Sequence, residues 1–96
     1  MNNEQALQLL NDLGEDADSV ARSLKAQDIK GDHRCYTCPI AQLLLKNGAH
    51  YTMVGSMIRV YDDAAKKWAD DFKPPASVDS FIDSFDQGAY PELETA

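Results

Sequence analysis

The chain has 96 residues and a mass of 10.6 kDa, a size that folds around one modest core and exposes about 5,500 Å². With 44% hydrophobic and 26% charged residues it has the composition of a globular protein, which argues against wholesale disorder. Sixteen acids against nine bases give a net charge of −7, which argues against direct binding to nucleic acid or to anionic membranes.

The opening MNNEQALQLL has no basic region before an apolar stretch, so no signal peptide is expected. No run approaches 18 apolar residues, so no membrane span is expected either. Two cysteines are too few to staple a secreted miniprotein, and a cytoplasmic location is the resulting expectation. The charge is unevenly placed. Residues 1–60 hold seven acids and six bases, whereas residues 61–96 hold nine acids and three bases.

In chain order, Leu7, Leu10 and Leu13, beside Ala6 and Leu9, give a helical period that stops at Gly14. Ala17, Val20, Ala21 and Leu24 predict a second amphipathic helix, with Glu15, Asp16 and Asp18 at its N-terminus where the dipole favours negative charge. A third helix begins sharply, with Cys38 as N-cap and Pro39 at the first helical position, and ends at Asn47-Gly48. Its residues Ile40, Ala41, Leu43, Leu44 and Leu45 cover more than one face, which makes it the central helix.

From Tyr51 the period changes to two. YTMV and MIRVY flank Gly55-Ser56, which reads as a two-residue hairpin turn, with Met53, Ile58 and Val60 as core positions. DDAAKKWADDFK fits a tight turn and a third, edge strand with Trp68, Asp70 and Phe72 on one face. Pro74-Pro75 ends that element. A last helix is predicted with Ser77 as cap, Val78, Phe81, Ile82 and Phe85 as its apolar stripe, and Gly88 as its close. The expected class is therefore α+β, with helices packed on a small antiparallel β-hairpin or three-stranded sheet, as a single domain over 1–96.

The densest group of reactive side chains is Asp32-His33-Arg34-Cys35-Tyr36-Thr37-Cys38. As a metal site, His33, Cys35 and Cys38 would supply three zinc ligands and His50 a fourth. Structural zinc sites usually bring two close ligand pairs, and only one Cys-x-x-Cys is present. As a redox site, the helix N-terminus would activate Cys38, but thioredoxin-like motifs place their first cysteine there, and no βαβ pattern precedes it. The plainer expectation is that Cys38 is a small buried cap and His33 a solvated loop residue. No hydrolase motif or glycine-rich phosphate loop occurs, so the expectation is a non-enzymatic chain without a cofactor.

The eight aromatic residues lie among too many acids for an RNA-binding sheet, and core and hairpin packing is the expected use of them. Asp79, Asp83 and Asp86 fall at i, i+4 and i+7 on the last helix, opposite its apolar stripe, with no lysine or arginine in Ser77–Gln87 to offset their repulsion. Together with Asp62, Asp63, Asp70 and Asp71 they form a candidate surface for a basic protein partner.

At Cys38-Pro39-Ile40-Ala41 and at Phe85-Asp86-x-Gly88-x-Tyr90-Pro91-Glu92-Leu93 the chain resembles a group of small uncharacterised proteins of actinobacteria and their phages. The resemblance spans roughly residues 18–94, and Cys35 and DDAAKKW lie outside its pattern. It implies a shared α+β domain and a bacterial or phage cytosolic setting, and it carries over no functional residue. The function expected from these features is a small acidic binding module, an inhibitor that engages a basic surface or mimics nucleic acid. The alternative is a metal- or redox-responsive module built on His33, Cys35 and Cys38. The terminal Tyr90-Pro91-Glu92-Leu93 is expected to fold back over the core, with Pro91 holding Tyr90 extended.

Overall fold

The structure is a computed structural model that describes residues 1–95. Four helices, α1 (Asn3–Asn11), α2 (Ala17–Ala26), α3 (Pro39–Lys46) and α4 (Ala76–Asp86), accompany three strands, β1 (Thr52–Val54), β2 (Ile58–Asp62) and β3 (Lys67–Trp68). The strands form one antiparallel sheet in the order β1-β2-β3, so the class is α+β as expected. The exposed area, 5593 Å², is what a compact chain of this mass should show. None of the described helices is long and apolar enough to cross a membrane.

The helix starts follow from local chemistry. Asn2 and Gln5 form a reciprocal capping box at α1, with bonds of 2.9 and 3.0 Å. Asp16 caps α2 by accepting the Ser19 N–H at 2.7 Å, which holds its carboxyl below the usual range. Cys38 and Pro39 open α3 at the expected positions. At α4 the expectation fails. Pro75 is the N-cap and Ser77 is already the second helical residue, with no side-chain cap. Proline cannot sit inside a helix but is compatible with its very start, so the helix begins directly after the Pro74-Pro75 pair.

Strand register corrects two further expectations. Val54 pairs with Ile58 and Thr52 with Val60, so the hairpin loop holds three residues, Gly55–Met57, instead of two. Adding a residue to the loop flips the alternation of the first strand. Thr52 and Val54 are buried with Ile58 and Val60, while Met53 faces outward beside Arg59. On the other side, Tyr61 pairs with Trp68 but Ile58 bridges to Phe72. Three steps along β2 thus match four along the third strand, a bulge that turns Phe72 toward the core and leaves Trp68 outside. In α1 the buried line is Ala6 and Leu10, continued by Leu13 just past the helix, and Leu7, one residue round the helix, is exposed.

One core joins the four helices, β1, β2 and the C-terminal turn, with Phe81, Phe85, Leu10, Leu24, Ile40, Leu43, Leu44, Ile58 and Leu93 among its fully buried side chains. Leu93 arrives there because the C-terminal segment folds back as expected. A 3₁₀ turn over Pro91–Leu93 is followed by a parallel bridge to Gly31, whose N–H donates to Leu93 O at 2.9 Å and whose C=O accepts from Thr95 N at 3.0 Å. Tyr90 is not extended. It lies in the left-handed region at φ 60°, a position stabilised by stacking on Phe81, 5.4 Å between ring centroids, and by donation of its hydroxyl to Asp18 at 2.6 Å. That carboxylate pushes the Tyr90 phenol up to about 12.

Candidate functional site

The loop 31–38 joins the start of α3 to the end of α4 and the C-terminal segment. Asp32 organises it, accepting from the Arg34 N–H at 2.9 Å and the Thr37 hydroxyl at 2.6 Å. These bonds hold the Asp32 carboxyl below its usual range, the Thr37 hydroxyl most of all. The loop thereby presents His33 to the end of α4. The imidazole stacks on Phe85 at 4.5 Å between centroids, with an interplanar angle of 23°. Its Nδ1 lies 3.2 Å from Asp86 Oδ1, and its Nε2 lies 2.5 Å from Glu94 Oε1. The bond to Glu94, then that to Asp86, raises the His33 pKa above the ordinary 6.5. His33 is therefore no simple solvated loop residue. It ties the loop, α4 and the C-terminal segment together, a role that no local pattern signals because its partners lie 53 and 61 residues away.

The cysteine cluster does not assemble into the expected alternative. Among the described residues no group of three or more His, Cys, Asp and Glu side chains is gathered to hold a metal ion. Both nitrogens of His33 face carboxylates, and His50 directs its Nδ1 to Asp63 at 2.5 Å. Cys38 is buried, and burial pushes its thiol up from the ordinary value, so the reactive thiolate is suppressed despite the helix N-terminus. Cys35 and Cys38 are both free thiols, and Cys35 uses its backbone C=O to accept from Val54 N at 2.9 Å, which covers the open edge of β1.

The seven candidate aspartates separate into different roles. Asp79, Asp83 and Asp86 line one shallow depression with Ile82 and the hairpin residues Gly55 and Ser56. They flank the apolar stripe of α4 and do not oppose it, since Ile82 belongs to both sets. Asp86 is engaged by His33. Asp62 accepts from the Ala64 and Ala65 amides at 3.0 and 3.2 Å and so shapes the β2–β3 turn. Asp63 pairs with the N-terminal amine at 3.2 Å as well as with His50, and the His50 bond chiefly lowers its pKa. Asp71 lies 4.0 Å from Arg59, and Asp70 offers its backbone C=O to Asn3 Nδ2 at 2.7 Å.

The outer face of the sheet holds what the charge pattern obscured. Tyr51, Tyr61 and Trp68, one from each strand region, meet edge to face with centroids 5.7 and 5.9 Å apart, and Tyr51 and Trp68 are 6.4 Å apart. Phe81 and Phe85 take the core role expected of aromatics, but Tyr36, Tyr51 and Trp68 remain 57%, 62% and 39% exposed. With Leu45, His50 and Thr52 these three rings line a groove whose walls are mainly apolar. Period-two alternation contained the signal, since Tyr51 and Tyr61 sit out of phase with the buried Thr52 and Val60.

Compared with protein-family models, with curated proteins and with solved structures, the chain matches none.

Proposed function

We propose that this chain is a non-enzymatic module that binds a basic protein surface, with the aromatic groove as its anchor and its negative charge as the means of attraction. The observation that supports this most is the exposure of Tyr36, Tyr51 and Trp68 around one groove, in a chain that buries Phe81, Phe85 and ten other large side chains fully. Tyrosine and tryptophan are the residues that most often dominate protein interfaces, and their ring faces attract lysine and arginine side chains. The net charge of −7 favours a cationic partner and speeds its approach. Of the two lysines in the neighbouring turn, Lys67 stands opposite Asp62 in the strand register. Asp79 and Asp83 add to the field from α4. The motif resemblance supports only a bacterial or phage cytosolic setting; an inhibitor that occupies a basic surface otherwise open to nucleic acid is the role that the net charge of −7 favours there.

Immobilised protein exposed to bacterial lysate at low salt tests the reading. The captured protein should be basic and should elute as salt rises. Trp68→Ala should lose it through faster dissociation, whereas Asp79→Asn with Asp83→Asn should mainly slow association. Capture indifferent to salt, to Trp68 and to both aspartates would remove the proposal.

A further inference from the structure

We propose that His33 is a charge-dependent latch: its imidazolium fastens the C-terminal segment to α4 and to the loop before α3, and its neutralisation loosens that segment. The geometry requires the charged ring. An ionised carboxylate only accepts hydrogen bonds, and both ring nitrogens face carboxylate oxygens, Asp86 Oδ1 at 3.2 Å and Glu94 Oε1 at 2.5 Å. Both nitrogens must therefore donate, which only the doubly protonated ring can do. A neutral ring would set a lone pair against one carboxylate and turn an attraction into a repulsion.

The groups around the ring agree with that assignment. Asp86 faces it from α4 and Glu94 from the C-terminal segment, and Phe85 supplies the surface on which it stacks. Its own loop contributes Asp32, whose carboxylate is turned to Thr37 and the Arg34 amide. Cys38, at the start of α3, is kept as the neutral thiol by burial. What the latch holds is defined as well. Glu94 is bridged to Gly31, and the bonds between Gly31 N–H and Leu93 O and between Thr95 N–H and Gly31 O flank it on either side.

The sign follows from the raised pKa of His33. A group whose folded pKa lies above its unfolded value of 6.5 stabilises the folded segment fully below that unfolded value. The stabilisation is lost as pH rises through the folded one. The segment should open more often on the alkaline side of His33's own titration.

NMR titration of the histidine rings, combined with amide-exchange protection factors for Gly31 and Thr95, tests the latch, since protection factors remove the intrinsic pH dependence of exchange. His33 should titrate above 6.5. Over the same pH interval the two protection factors should fall by roughly threefold to fivefold, the size of a surface ion pair. In His33→Gln that fall should vanish. Glu94→Gln, a milder change should His33→Gln fold poorly, should move the His33 midpoint down and the opening with it. Protection that stays flat across the titration, or that falls equally in His33→Gln, would overturn the proposal.

Discussion

Gly31→Ala should damage the fold far more than its small size suggests. A Cβ placed on Gly31 would lie 2.5 Å from each of three backbone atoms, Cys38 C, Pro39 N and Thr37 O. None of these is the end of a flexible side chain. Either the Cys38-Pro39 corner that opens α3 must shift, or Gly31 must retreat and break its bonds to Leu93 and Thr95. Overpacking of this kind costs about 1–3 kcal/mol. Loss of the two backbone bonds would cost about 1 kcal/mol each, and partial release of the fully buried Leu93 would add to it. A total of about 3 kcal/mol should lower Tm by about 15 °C, at roughly 4–8 °C per kcal/mol for a chain of this length. Thermal unfolding followed by circular dichroism measures this directly, with urea titration as a check on the m-value. Gly55→Ala is the control, since its nearest neighbour would be Met57 O at 4.0 Å. A Gly31→Ala Tm within 4 °C of wild type would refute the claim that the C-terminal segment is locked against the α3 corner.

The cysteines should behave as structural groups of unequal accessibility. Under native conditions an alkylating reagent followed by mass spectrometry should label the half-buried Cys35 first and Cys38 only as the chain opens, and Cys38→Ser should cost at most about 1 kcal/mol because serine is itself a favoured N-cap. Labelling of Cys38 before Cys35 would contradict its burial. The α4 aspartates should separate by role. Asp83→Asn should raise stability by about 0.2–0.5 kcal/mol through relief of like-charge repulsion, measured by urea unfolding, with Asp79 left in the first turn of α4 where the helix dipole favours its charge, whereas Asp86→Asn should weaken the His33 bond and lower the ring's titration midpoint by NMR.

Much of the fold was legible because helix periodicity depends on neighbours three and four residues away. Val20, Ala21 and Leu24, the Cys38-Pro39 start of α3, and the Val78, Phe81 and Phe85 stripe all lie where the period predicts them. The third strand was legible too, but not the faces of its residues. Met53 and Trp68 turned outward for one reason: strand alternation has no memory of absolute phase, so one extra loop or bulge residue inverts it. Tyr90 departed from the extended form that its following proline favours because stacking on Phe81 and the Asp18 bond act from elsewhere in the chain. His33 was illegible for the same reason on a larger scale. Its meaning lies in Phe85, Asp86 and Glu94, and only the folded chain brings them to it.

The same long-range view changes how the negative charge should be understood. In sequence, the seven aspartates of residues 62–86 look like one surface, yet Asp62 builds a turn, Asp63 holds the N-terminal amine and His50, and Asp86 holds His33. A carboxylate already hydrogen-bonded within the fold must break that bond to contact a partner directly, which offsets much of what the new contact contributes. Its charge nevertheless still acts at a distance, over about a Debye length of 8–10 Å. Attraction and anchoring are therefore expected on different groups. On the proposed function, the acids would set the rate at which a basic partner arrives, and the exposed rings of Tyr36, Tyr51 and Trp68, which can be covered without breaking a carboxylate's internal bond, would determine how long it stays.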